Sequence, residues 1–157
     1  MSRPDYTYRA FEGGSTEWTN LIHDARGLSL LQAWAYGEAK AATGPWRVER
    51  GVFFKNGTIV GAAQTMVRTT LLQNIGLAWI NRGPLVLAEG ADQIAMRKVL
   101  MDHFIGQNGL YLRIAPLVDI PGPAGLTATS TLGWASATVD LRQPESTLRK
   151  NLHGKWR

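Results

Sequence analysis

Between Trp46 and Asn81 three strand-like runs follow one another with little between them, and the first two meet at Lys55-Asn56-Gly57. Trp46–Phe54 alternates in polarity, Thr58–Thr70 follows the turn, and Ile75–Asn81 closes on Arg82-Gly83-Pro84. Asn-Gly is the strongest short signal for a β-hairpin, because both residues tolerate positive φ. A sheet therefore lies at the centre of anything this chain folds into.

The rest of the sequence supplies strands and helices around that block. Tyr6–Phe11 alternates as a first strand, and Gly13-Gly14-Ser15 offers a turn and an N-cap to a helix carrying Trp18, Leu21 and Ile22. The spacing predicts a second helix over Leu31–Thr43, stopped by Gly44-Pro45. On a 3.6-residue period Leu31, Trp34, Ala35 and Ala42 gather on one side, the expected core side. Tyr36 and Lys40 fall one turn apart on the opposite side, where they act together; Lys40 alone reads as a solvated charge.

Gly90–Gln107 is expected to be helical through Met96, Leu100 and Phe104, and Leu110–Ile114 to be a strand. After the Pro121–Gly125 loop come a short helix as far as Leu132-Gly133-Trp134 and a last strand at Ala137–Leu141. Glu145–Arg157 then places Leu148, Leu152 and Trp156 on one helical face. The chain stops with this stripe unfinished and no Gly cap. The expectation is a domain over residues 1–142, with residues 143–157 beginning a basic helix that leads to a second domain. An apolar stripe left without its partner would favour self-association.

Composition narrows the functional classes. A chain of 157 residues, 45% apolar and 18% charged, has the make-up of one globular domain. Cysteine is absent, which excludes disulfides and thiolate metal sites. The start has no apolar segment of the signal-peptide kind, and no apolar run reaches membrane-spanning length, so a soluble cytoplasmic protein is expected. Of the net charge of +5, residues 142–157 carry +4, with five cations against Glu145 alone. That tail could meet phosphate, or form the solvated face of a helix.

The three histidines, His23, His103 and His153, have no His or carboxylate at helical metal-pair spacing. Neither a G-x-S-x-G elbow nor a P-loop is present. No residue stands out as a general base.

Four stretches together resemble a known family. They are Gln32-x-Trp34 with Lys40 and Trp46; Arg82-Gly83-Pro84; Leu112-Arg113-Ile114-Ala115-Pro116; and Leu148-Arg149-Lys150-x-Leu152-x-x-Lys155-Trp156-Arg157. In this order they are similar to motifs of the FemAB branch of GNAT-type N-acyltransferases, whose members carry two GNAT-like domains in tandem. The resemblance covers the first domain only. It implies an α+β fold of the GNAT-like kind, a mostly antiparallel mixed sheet flanked by helices.

The resemblance also implies transfer of an amino acid from aminoacyl-tRNA to an amine of a peptidoglycan precursor, forming interpeptide bridges. On that basis Lys40 is the candidate contact to the diphosphate of a nucleotide- or lipid-linked muropeptide. Tyr36 would supply a hydroxyl, Trp46 a wall, and Arg82 a second cation held by the Gly-Pro turn. For Trp46 a core role weighs more than a site role, and Arg113 reads as a structural ion-pair partner. The aminoacyl-tRNA would be held by the second domain, leaving this part inactive alone.

One departure bears on cofactors. Acetyl-CoA-using GNAT enzymes cradle pyrophosphate on a Gly-rich loop of the form [QR]-x-x-G-x-[GA]. Here the junction reads Arg82 to Gly90, where Pro84 lacks an N–H and the glycines are wrongly spaced, so no cofactor is expected. Two other readings stay open. One is an N-acyltransferase half acting on a different amine. The other is a non-enzymatic module that binds anions or nucleic acid through the basic tail.

Overall fold

The structure, a computed structural model, describes residues 6–25, 27–70, 75–116, 122–127 and 142–151. The chain divides into two compact units, Met1–Leu126 and Thr127–Arg157. The first unit holds a mixed sheet of six strands: β1 (Tyr6–Ala10), β2 (Arg47–Lys55), β3 (Thr58–Thr69), β4 (Gly76–Asn81), β5 (Leu85–Val86) and β6 (Tyr111–Ala115). The order is β1-β2-β3-β4-β6, with β5 pairing to β3. All pairings are antiparallel except that of β4 with β6. This is the α+β fold with a mostly antiparallel sheet that the sequence leads one to expect.

The β2–β3 hairpin turns at Asn56 (φ 51°) and Gly57 (φ 83°), the left-handed pair that a two-residue turn needs. Strand alternation then sorts residues to two faces. Phe53, Ala63, Val67, Ala78, Ile80 and Leu112 form one core with Met96, Leu100 and Phe104. Those three belong to α3 (Gln93–Met101) and the π-helical turn Asp102–Gln107 that continues it. Val52 and Ala62, on the other face, pack with Trp18 and Ile22 of α1 (Ser15–Ile22). β3 is buried on both faces from Val60 to Val67, and the run includes Gln64 and Thr65.

Helix α2 (Trp34–Thr43) differs from its expected form in start and orientation. Leu30–Gln32 is a separate 3-10 turn capped by Ser29, whose hydroxyl accepts from the Leu31 N–H. Ala33 is extended, and the α-helix begins only at Trp34. Ala35 and Ala42, expected in the core, are exposed, whereas Gly37 is buried and Tyr36 and Lys40 are half-buried. The helix therefore turns Gly37 to the sheet, flanked by Tyr36 and Lys40. An added Cβ at Gly37 would come within 2.5 Å of Gln64 Oε1 and 2.6 Å of Arg50 Nη2. Only glycine lets the helix sit this close.

In the second unit, α4 (Glu145–Asn151) carries an i,i+4 bond from Arg149 Nε to Glu145 Oε1 at 2.8 Å. The expected strand Ala137–Leu141, and Leu152 and Trp156 of the apolar stripe, lie outside the described residues.

Candidate functional site

The start of α2 is tied to the sheet by buried side chains rather than by an apolar stripe. β3 and β4 pair from Thr65↔Ile80 onward, and the next rung would join Gln64 to Asn81. The fully buried Gln32 side chain fills that rung instead. Its Oε1 accepts from the Gln64 N–H at 2.8 Å, and its Nε2 donates to the carbonyls of Asn81 (2.7 Å) and Gln64 (3.2 Å). Trp18 Nε1 donates to the Gln32 carbonyl at 3.0 Å, fixing the turn from below.

Gln64 returns the contact from the sheet. Its Nε2 donates to the carbonyls of Ala33 and Leu31, and its Oε1 accepts from Arg50 Nε at 2.8 Å. Arg50 lies 3.5 Å from the Trp34 ring centroid and donates through Nη2 to Glu38 and to the Trp34 carbonyl. Burial pulls this guanidinium below the ordinary arginine range, and the bond to Glu38 opposes that shift. In the motif Gln32-x-Trp34, then, both side chains serve the scaffold.

The scaffold leaves a narrow cleft of about 10 Å³ beside α2. Tyr36, Lys40 and Trp46 line it, together with Trp79 and Asn81 of β4 and Gln64 and Met66 of β3. Three of the four residues singled out from the sequence thus converge on one place. Lys40 Nζ stands 5.8 Å from the Tyr36 ring centroid and has no carboxylate partner among the described residues. The Trp46 and Trp79 rings are 6.1 Å apart, and Trp46 is half-buried at the cleft, outside both buried cores.

Arg82, the fourth, does not line the cleft. It follows Asn81 at the end of β4 with φ 55°, and its N–H donates to the Ala115 carbonyl at 2.7 Å. A positive φ is uncommon away from glycine, and here the bond to Ala115 holds the backbone in it. Arg113 is exposed and rests on Trp79, 5.7 Å from the ring centroid; among the described residues it makes no ion pair, contrary to expectation. Its partner is an aromatic face because the β4–β6 register sets Trp79 directly beside it.

The junction after Arg82 folds back as β5 instead of opening into a loop at a helix N-terminus. The first N–H groups of α3 are already taken: Asp92 Oδ1 accepts from Ile94 and Ala95. No three His, Cys, Asp or Glu side chains gather as metal ligands among the described residues. His103, isolated in the sequence, comes to 3.8 Å from Glu49 Oε2 and 5.2 Å from the Tyr8 ring, a meeting made by the packing of the π-helical turn on the sheet.

Among solved structures the fold is similar to the crystal structure of FemX, with a TM-score of 0.53 at 21% sequence identity. The likeness is one of fold. It covers 71% of this chain and 28% of the FemX chain. No protein-family model matches the sequence, and no curated protein matches it. Trp79 escaped the reading of the sequence; its place in an alternating strand, opposite Met66, could have marked it as a neighbour of Trp46 across the sheet.

Proposed function

We propose that this chain is the precursor-binding part of a FemAB-type aminoacyltransferase, with the cleft beside α2 as its anion site. The observation that carries the reading is the convergence of Tyr36, Lys40 and Trp46 on one cleft, with an ammonium that no carboxylate neutralises among the described residues. Lys40 holds the diphosphate of a nucleotide- or lipid-linked muropeptide, for which a compact point charge suffices. Tyr36 contributes its hydroxyl, Trp46 excludes water from one side, and Arg82 stands at the strand end as an outer cation.

The fold likeness to FemX, which spans only part of that chain, supports this assignment. Transfer from aminoacyl-tRNA would need further residues, so this part alone binds the acceptor without reacting. No helix among the described residues is long and apolar enough to cross a membrane.

Titration calorimetry with a nucleotide-linked muropeptide tests the assignment. Lys40→Ala should weaken binding by about 1.5–3 kcal/mol, the worth of one charged hydrogen bond. Lys98→Ala, an exposed cation on α3, should leave binding unchanged. Arg82→Ala should weaken it too, and the double variant should be non-additive if both cations serve one anion. Equal affinity in Lys40→Ala and Lys98→Ala would remove the site assignment.

A further inference from the structure

Strand alternation gives the α2 side of the sheet a second group of residues, beyond the contact of Gly37 with Gln64. Two rungs cross three strands there: Arg68 beside Leu77 beside Tyr111, and Met66 beside Trp79 beside Arg113. The intervening Val67, Ala78 and Leu112 go to the opposite face, into the core under α3. Of the two rungs, Tyr111 is 66% exposed, and Arg68 and Arg113 are exposed as well. Leu77 and Trp79 are half-buried, so this end of the face is a surface and not a third core.

Its chemistry is of one kind. The six positions hold two guanidinium groups, two aromatic rings and no carboxylate. Arg113 rests on the Trp79 ring, 5.7 Å from its centroid, and the Trp46 ring extends the aromatic group 6.1 Å from that of Trp79. Tyr111 and Arg113 stand two residues apart on one paired strand, about 6.6 Å along it, so the backbone fixes their spacing. Cations alone would suit any anion. Flat π-faces set among cations suit an anion that carries rings of its own. A base stacks on an aromatic ring or a guanidinium plane while its phosphates meet the charges.

We infer that this face of β3, β4 and β6 binds single-stranded nucleic acid. Tyr111 and Arg113 stack unpaired bases, and Arg68 meets the phosphate backbone. The inference does not depend on the muropeptide reading of Lys40. It also differs from attraction to the basic tail, because recognition here needs rings as well as charge.

Fluorescence anisotropy of the full chain with a labelled oligouridylate of about eight nucleotides tests this. Tyr111→Ala should weaken binding about 5- to 100-fold, the effect of losing one stacked base, and Tyr111→Phe should keep it, since the ring does the stacking. Both Tyr111 variants should melt with wild type, because the side chain is mostly in water. Arg113→Lys keeps the charge and loses the plane, so affinity should fall while the salt dependence stays. Arg68→Ala should lower the slope of log affinity against log salt by about 0.7, one phosphate contact on a single strand. Lys98→Ala, an exposed cation on α3, should change neither.

Full affinity in Tyr111→Ala would overturn the inference. So would equal binding of polyglutamate, or of the same strand annealed to its complement, since either marks plain attraction to negative charge. Affinity lost in an Arg149→Gln, Lys150→Gln double variant but kept in Tyr111→Ala would move the binding to α4 and overturn it likewise. If the unaltered protein does not bind the oligonucleotide, the inference falls while the Lys40 reading, tested with the muropeptide, stands.

Discussion

Replacing Gln32 tests whether a side chain truly stands in for a rung of the sheet. In Gln32→Met the volume is kept but the Gln64 N–H and carbonyl, both buried, lose their partners, and the half-buried Asn81 carbonyl turns to water. Each buried unpaired group costs about 1–3 kcal/mol, so the two at Gln64 should cost about 2–6 kcal/mol together. Gln32→Ala adds a cavity beneath the turn and should cost about 1–2 kcal/mol more. Gln32→Glu keeps the acceptor, loses the donor and buries a charge. It should be the least stable of the three at neutral pH and recover partly in acid, where a protonated carboxyl can donate as the amide does.

Urea unfolding followed by far-ultraviolet circular dichroism gives these differences as shifts in midpoint at constant slope. Because Gln64 and Asn81 also line the cleft, ligand affinity should fall alongside stability. A Gln32→Met protein within about 0.5 kcal/mol of wild type, the ordinary range for a surface change, would refute the reasoning.

Gly37→Ala should destabilise by about 1–3 kcal/mol through overpacking against Gln64 and Arg50, although alanine favours helix by about 1 kcal/mol. A thermal melt above wild type would show that α2 can lift off the sheet freely. At the other face, burial raises the Tyr8 hydroxyl well above the usual tyrosine value, opposed by the Thr65 hydroxyl and helped by the Glu49 charge. An unfolded tyrosine ionises near pH ~10, so this contribution is complete below that pH and is lost as pH rises toward the folded value. Urea midpoints between about pH 8 and 11 should therefore fall more steeply for wild type than for Tyr8→Phe, and parallel slopes would assign the alkaline loss to other groups.

Local signals made much of the fold legible. Asn56-Gly57 produces the β2–β3 turn because its φ values are a property of those two residues. The stripe Met96, Leu100, Phe104 determined which face of α3 and its π-helical continuation is buried, since three large apolar side chains outweigh the rest of that segment. Tertiary structure decided what contrast in hydrophobicity could not. Half of α2 is alanine or glycine, so its period carries little preference, and its facing follows instead from Gly37 fitting over Arg50 and Gln64. Arg97 is only 4% exposed, because the helix that carries it is oriented by its apolar neighbours.

The candidate site divides in the same way. Tyr36 and Lys40 were legible as one-turn neighbours on a helix. Gln32 and Trp79 were not, because an amide becomes a sheet rung, and an indole becomes part of a cleft, only when distant strands close around them.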